Sequence, residues 1–169
     1  TISNTYIGAV YLNNINSYLD VHSGNHSGSF TLTTNSLTNI GGNLNGIYNG
    51  NGNITLLVNG DFTNLGNTVL IYNSGVQNIG NGNATMKVTG KYIQTNGDFR
   101  GIFNLSSNAS GKIDLEFQDV ILSGGIFMGQ YACHTAGNIS NIRIKGDLDI
   151  NFSSGNSKFR GNGLTSLSG

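Results

Sequence analysis

The chain contains no proline and no tryptophan, has a single cysteine, and carries charge on only 9% of its residues. With one cysteine, Cys133, neither an internal disulfide nor a zinc site built on several thiolates can form, and the residue reads as a small buried hydrophobe. Eight basic and eight acidic residues sum to zero net charge, which leaves no electrostatic footprint for nucleic acid or an anionic membrane. Near-neutrality also gives little protection against self-association. No run approaches the ~20 apolar residues of a membrane helix, so membrane insertion is not expected. Thr1 opens without a basic segment or apolar leader, as in a mature or excised chain.

What is abundant is glycine, 26 residues in 169, together with asparagine. Disordered and low-complexity chains share such a composition. Here, however, Ile, Leu, Val, Phe and Tyr arrive in short alternating runs, which is the signature of strands with one buried face. No stretch keeps apolar residues at helical spacing, and the length fits one domain.

The alternating runs repeat. Phe30-Thr-Leu-Thr-Thr34, Ile54-Thr-Leu-Leu-Val58, Ala84-Thr-Met-Lys-Val88, Ile113-Asp-Leu-Glu-Phe117 and Ser140-Asn-Ile-Arg-Ile144 start 24, 30, 29 and 27 residues apart. Gly60, Gly90 and Gly146 follow three of them at one place in the unit, where a φ > 0 turn would bend the chain onto a second face. Asp119 holds that neighbourhood in the fourth, after an apparent one-residue deletion. A second strand per unit is marked by Tyr48, Tyr72, Phe103 and Tyr131, preceded by Ile47, Ile71, Ile102 and Gln130. The expected fold is all-β: a single-domain parallel β-solenoid of about five coils of 24 to 31 residues over 30–169, with 1–29 an irregular first coil or capping segment. An antiparallel sandwich would not repeat equivalent residues at one long period.

Stacking at ~4.8 Å per coil predicts which side chains meet. Glu116 falls between Lys87 and Arg143, and Asp61, Lys91 and Asp119 succeed one another at the corner. Alternating signs are what an in-register stack selects, at ~0.2 to 1 kcal/mol per exposed pair.

The stretch Met86-Lys-Val-Thr-Gly-Lys-Tyr-Ile-Gln-Thr-Asn-Gly-Asp-Phe99, and the same layout in Leu56-Leu-Val-Asn-Gly-Asp-Phe-Thr-Asn-Leu-Gly66, resembles the repeats of large secreted β-helical, adhesin-like surface proteins of Gram-negative bacteria. The resemblance implies an extracellular, non-enzymatic repeat module and transfers no functional residue.

Candidate chemistry is sparse, and neither a catalytic, a metal nor a cofactor site is expected. Asp114-x-Glu116 and Asp147-x-Asp149 each put two carboxylates on one strand face, as a polysaccharide-cleaving β-helix would, yet Glu116 already has basic neighbours and Arg100, Arg143 and Arg160 are scattered. His22 and His26 lack a third ligand. Cys133 and His134 are strand neighbours that would face opposite ways. Glycine-rich segments 41–52 and 80–82 lack the GK[ST] of a phosphate loop. A Thr31, Thr55, Thr85 column raises ice binding, but the adjacent column, Thr33, Leu57, Lys87, Glu116 and Arg143, is charged and irregular. Seven Asn-x-Ser/Thr sequons follow from composition.

The aromatic strand is apolar in both phases. If Tyr48, Tyr72, Phe103 and Tyr131 form an inward aromatic stack, Ile47, Ile71 and Ile102 point outward and need a cover, for which a neighbouring protomer is expected. Residues 156–169 offer no amphipathic cap. These features point to a self-associating structural protein, a homo-oligomer or polymer in an extracellular filament or surface assembly. The alternatives are a carbohydrate- or surface-binding adhesin module, with glycans as partners, and a polysaccharide-degrading β-helix or phage fibre segment.

Overall fold

The computed structural model describes residues 4–12, 18–23, 28–48, 51–73, 81–104, 110–131, 139–152 and 157–160, and all regular elements there are strands. One sheet stacks β1 (Asn4–Leu12), β3 (Ser29–Asn39), β5 (Asn53–Val58), β8 (Asn83–Gln94), β10 (Lys112–Leu122) and β12 (Ile139–Ile144), continued by the short β6 (Phe62–Asn64) and β13 (Leu148–Ile150). The second stacks β2 (Tyr18–Ser23), β4 (Asn43–Tyr48), β7 (Asn67–Asn73), β9 (Asp98–Asn104), β11 (Ile126–Tyr131) and β14 (Lys158–Arg160). Every pairing is parallel, and each coil contributes to both sheets. The chain is a parallel β-solenoid.

The repeat alignment is the register. Phe30, Ile54, Ala84, Ile113 and Ser140 pair in succession, and the deletion before Asp119 is a register shift between Phe117 and Asp119. The stack also begins before Phe30. β1 pairs with β3 from Asn4↔Thr31 to Leu12↔Asn39, and β2 pairs with β4, so the segment expected to be irregular contains a coil in register with the rest.

Between the sheets lie columns of apolar side chains. Leu56, Met86 and Leu115 form one, Val58, Val88 and Phe117 a second, and Phe62, Tyr92 and Val120 a third, all buried. Tyr92 is their hub, with its ring centroid 5.1 to 5.6 Å from those of Phe62, Phe117, Phe127 and Phe99. Each such side chain withdrawn from water contributes ~1.5–3 kcal/mol.

The isoleucine column requires a correction. Ile47, Ile71 and Ile102 are each 0% exposed in a single chain and belong to its hydrophobic core, so they offer no surface to a protomer. Phe103 and Tyr131 are the half-buried pair, stacked on each other at 5.3 Å and 14°. Backbone register continues that aromatic column through Tyr72 and Tyr48, whose side chains lie outside the described residues. The physical reason is a break in alternation one residue earlier. A Cβ on Gly46 would strike Ile54 Cδ1 and the Leu70 carbonyl, and one on Gly101 would strike Ile113 Cδ1 and the Gly129 carbonyl. The second sheet approaches too closely for side chains at those two positions, and the next residue, isoleucine, is buried as well.

The intervening coil solves the same crowding in reverse. Where Gly46 and Gly101 meet Ile54 and Ile113, register sets Leu70 across from Ala84, so in these three coils a large residue on one sheet faces a small one on the other. Ala84→Ile should therefore overpack the core and lower unfolding free energy by ~1–3 kcal/mol, with Leu70→Ala in the same chain recovering much of that loss. Denaturant titration of both single variants and the double variant checks this; losses that merely add would refute the pairing.

The corners also differ from expectation. Gly60, Gly90 and Gly146 do not have positive φ; among the described residues the left-handed glycines are Gly97 (φ 70°) and Gly125 (φ 76°), at the other corner. Close approach explains the first set, since a Cβ on Gly90 would lie 2.6 and 2.8 Å from the carbonyl carbon and oxygen of Gly60 in the coil before it. At the second corner both constraints act: a Cβ on Gly97 would lie 2.5 Å from the Leu65 carbonyl oxygen, and one on Gly125 2.8 Å from the Asn96 carbonyl carbon. Gly125→Ala should cost at least the ~1–2 kcal/mol of a left-handed alanine, more than Gly60→Ala, by the same titration.

A buried polar column closes this second corner. Asn39, Asn64 and Gln94 occupy one register position and are fully buried. Thr68 donates to Asn64 Oδ1 (3.0 Å), Asn64 donates to the Tyr92 hydroxyl (3.2 Å) and the Asp98 carbonyl (3.2 Å), and Tyr92 donates to Gln94 Oε1 (2.6 Å). Gln94 Nε2 reaches the carbonyls of Gly97 (3.2 Å) and Ile126 (3.0 Å). The amides thus satisfy carbonyls that the turn leaves unpaired.

Candidate functional site

The outward surface is organised by the same columns. On the first sheet Glu116 stands opposite Lys87 in the preceding coil and Arg143 in the following one. Its carboxylate meets Lys87 Nζ at 3.3 Å, Arg143 Nη1 at 3.2 Å and Lys145 Nζ at 2.7 Å. The Lys145 hydrogen bond, ahead of the Lys87 bond and both lysine charges, pulls its pKa from 4.5 to about 2 against a smaller opposing effect of desolvation. Asp114, two residues away on the same face, is lowered chiefly by the hydrogen bond from Asn141 Nδ2 (2.6 Å) and further by Lys112 (3.1 Å). Glycosidic cleavage by a carboxylate pair needs one carboxyl with a raised pKa to serve as acid, and both of these are depressed. The arrangement is that of ion pairs locking adjacent coils.

At the corner, acids act on backbone. Asp61 Oδ1 accepts from the Lys91 N–H (2.7 Å) and Asp119 Oδ1 from the Asp147 N–H (3.0 Å), so each aspartate caps the turn of the next coil. Asp119, Asp147 and Asp149 border a shallow depression with Lys91. No group of three or more His, Cys, Asp or Glu is placed to hold a metal among the described residues. His26, Cys133 and His134 lie outside them, as does the side chain of His22.

Asparagine forms further ladders, which the sequence reading did not anticipate. Asn83 Nδ2 donates to Asn53 Oδ1 (3.0 Å), and Asn83 Oδ1 accepts from the Lys112 N–H (3.2 Å). Asn51 Oδ1 accepts from the Asn81 N–H (2.9 Å), and Asn81 Oδ1 from Ser110 N–H and Oγ (3.0 and 2.9 Å). The signal was available: Asn51 and Asn53 recur 30 residues later as Asn81 and Asn83, the same step that separates Ile54 from Ala84. Two of the sequon asparagines, Asn53 and Asn83, thus have their amides engaged with neighbouring coils.

On the second sheet Arg100 pairs with Asp98 (2.5 Å) and lies over the Tyr131 ring at 4.5 Å and the Phe103 ring at 5.6 Å. The faces these rings turn toward each other and toward Arg100 are thereby occupied.

The last coil differs from the others. Leu148 and Ile150 continue the columns of Val120 and Leu122, yet they are 44% and 42% exposed against 0% and 1%. Ile142, Ile144 and Phe159, also in core columns, are only partly buried. In the last described coil the core columns therefore present a partly open apolar layer, with Asp147 and Asp149 on either side of Leu148 and with Arg143, Lys145 and Arg160 in the same coil.

No family model matches the chain, and no curated protein or solved structure matches it.

The Glu116 cluster sets a pH test. A carboxyl whose folded pKa lies below its unfolded value adds stability that is complete above ~4.5 and disappears as pH falls toward ~2. Glu116→Gln should therefore lower the melting temperature at pH 6 and make little difference near pH 2, as read by thermal melts across that range. An equal effect at both ends would show that packing, not charge, is lost.

Proposed function

We propose that the chain is a non-enzymatic structural module, a β-solenoid building block of an extracellular bacterial filament or surface assembly, joined to copies of itself through coil ends. The observation that carries this reading is the open last coil. Core columns that are sealed in the coil before it end on Leu148 and Ile150 with much of each side chain in water. An exposed layer of apolar side chains on the terminal described strands of two parallel sheets is a template for another coil. Lateral association through Ile47, Ile71 and Ile102 has no place in this proposal, since those residues are core. The extracellular setting rests on the pattern resemblance to secreted adhesin-like repeats.

Mechanically, such a module acts by stiffness. Backbone pairing runs along the long axis, reinforced by the asparagine ladders and the Lys87–Glu116–Arg143 chain. Electron microscopy of the purified protein, with light scattering across concentration, is the direct test. Ordered polymers are the expected result; a monomer that persists at high concentration overturns the reading.

A further inference from the structure

We infer that the open last coil accepts the first coil of a second copy in the register that relates consecutive coils within the chain, producing a polar, head-to-tail stack. This rests on the structural reading above and specifies its interface. Each column can be followed from the first coil to the last. Val10, Leu37, Phe62, Tyr92, Val120 and Leu148 form one register line, and adding a coil after Leu148 returns to Val10. By the same rule Ile7 follows Ile144, Leu12 follows Ile150, and Leu19 follows Phe159. Leu148, Ile144, Ile150 and Phe159 thus each receive an apolar residue at the next register position, while Ile142 is followed by Thr5.

Charge selects the partner. The line Asp20, Asn45, Val69, Arg100, Met128 and Arg160 brings Asp20 of the incoming copy over Arg160. Asp20 is the one acid in residues 1–29, which hold no Lys or Arg, whereas residues 139–160 set four basic side chains, Arg143, Lys145, Lys158 and Arg160, against two acids, Asp147 and Asp149. Arg143 and Lys145 are already held by Glu116, but the net positive charge of the last coil still makes two last coils repel each other and attract the acid of a first coil. Within the chain the register neighbours of these two positions are uncharged, Asn45 beside Asp20 and Met128 beside Arg160.

Sedimentation velocity over a concentration series tests the docking, with circular dichroism verifying that each variant keeps its strand spectrum. Asp20→Arg and Arg160→Asp should each raise the concentration needed for assembly by ~5–10-fold, because a favourable pair becomes a like-charge pair. An equimolar mixture of the two variants should assemble as the wild type does, since each end then finds its opposite on the other variant. The doubly substituted chain should do the same alone. The milder Asp20→Asn and Arg160→Gln serve where a reversal unfolds the chain, with the same direction and smaller amplitude. Wild-type polymers unaffected by either reversal, or singly impaired variants that fail to complement when mixed, overturn this interface while leaving the structural reading in place. A wild type that stays monomeric overturns both.

Discussion

Parallel, in-register backbone pairing between successive coils is the constraint on which everything else in this molecule rests. It repeats each position at a spacing of ~4.8 Å, so a side chain is judged chiefly by its equivalents above and below. Apolar side chains pass that test by interdigitating, as Leu56, Met86 and Leu115 do. Charges pass it only in alternation. Asparagine passes it because an amide both donates and accepts, so the Asn53–Asn83 pair is self-complementary in a way that two aspartates would not be. The scarcity of charge and the abundance of asparagine are consequences of the one pairing rule.

The same rule explains how a chain with 26 glycines holds a dry core. Glycine costs conformational entropy in a strand, but at Gly46 and Gly101 it lets an isoleucine from the opposite sheet reach the backbone. At the corner of Gly97 and Gly125 the chain turns with positive φ, and the carbonyls exposed by that turn are met by Gln94. The corner is polar inside and the strands apolar inside, so the buried Asn39–Asn64–Gln94 line marks where the cross-section bends. It also ties Tyr92, the hub of the aromatic cluster, to the backbone of the turn through the hydroxyl bond to Gln94.

Much of this was legible because a long period is insensitive to local detail. The five aligned strands from Phe30 to Ser140 match the register residue for residue, and the Glu116 neighbourhood follows from it. Phase within a strand was harder. Alternation assigns Ile71 and Tyr72 to opposite faces, but Gly46 and Ile47, Leu70 and Ile71, and Gly101 and Ile102 are buried as consecutive pairs, and no period-two pattern reports that. Likewise Gly60, Gly90 and Gly146 recur visibly because neighbouring backbones crowd them. The glycines that need positive φ sit in corners written differently, Thr95-Asn96-Gly97 and Ser123-Gly124-Gly125, where only the Asn-Gly and Gly-Gly dipeptides mark the turn. Residues 1–29 read as an irregular first coil or capping segment because their strands, Asn4–Leu12 and Tyr18–Ser23, lack the glycine corner and aromatic pair that label the others.

Parallel stacking has one further consequence. In an antiparallel sandwich the two ends of a domain can be alike, and contact between like ends closes a dimer. A parallel coil gives its two ends different groups, here residues 1–29 with one acid and no Lys or Arg, and residues 139–160 with four basic side chains and two acids. Contact between unlike ends of identical copies is heterologous, and it closes into a ring only if the coils curve; otherwise it continues. With equivalent residues stacked directly over one another, docking in the internal register adds a translation and the small twist of each coil, which returns a copy to the same axis. In the stack proposed above, polarity of the backbone, complementarity of the last and first layers, and open-ended growth are the same property seen at three scales.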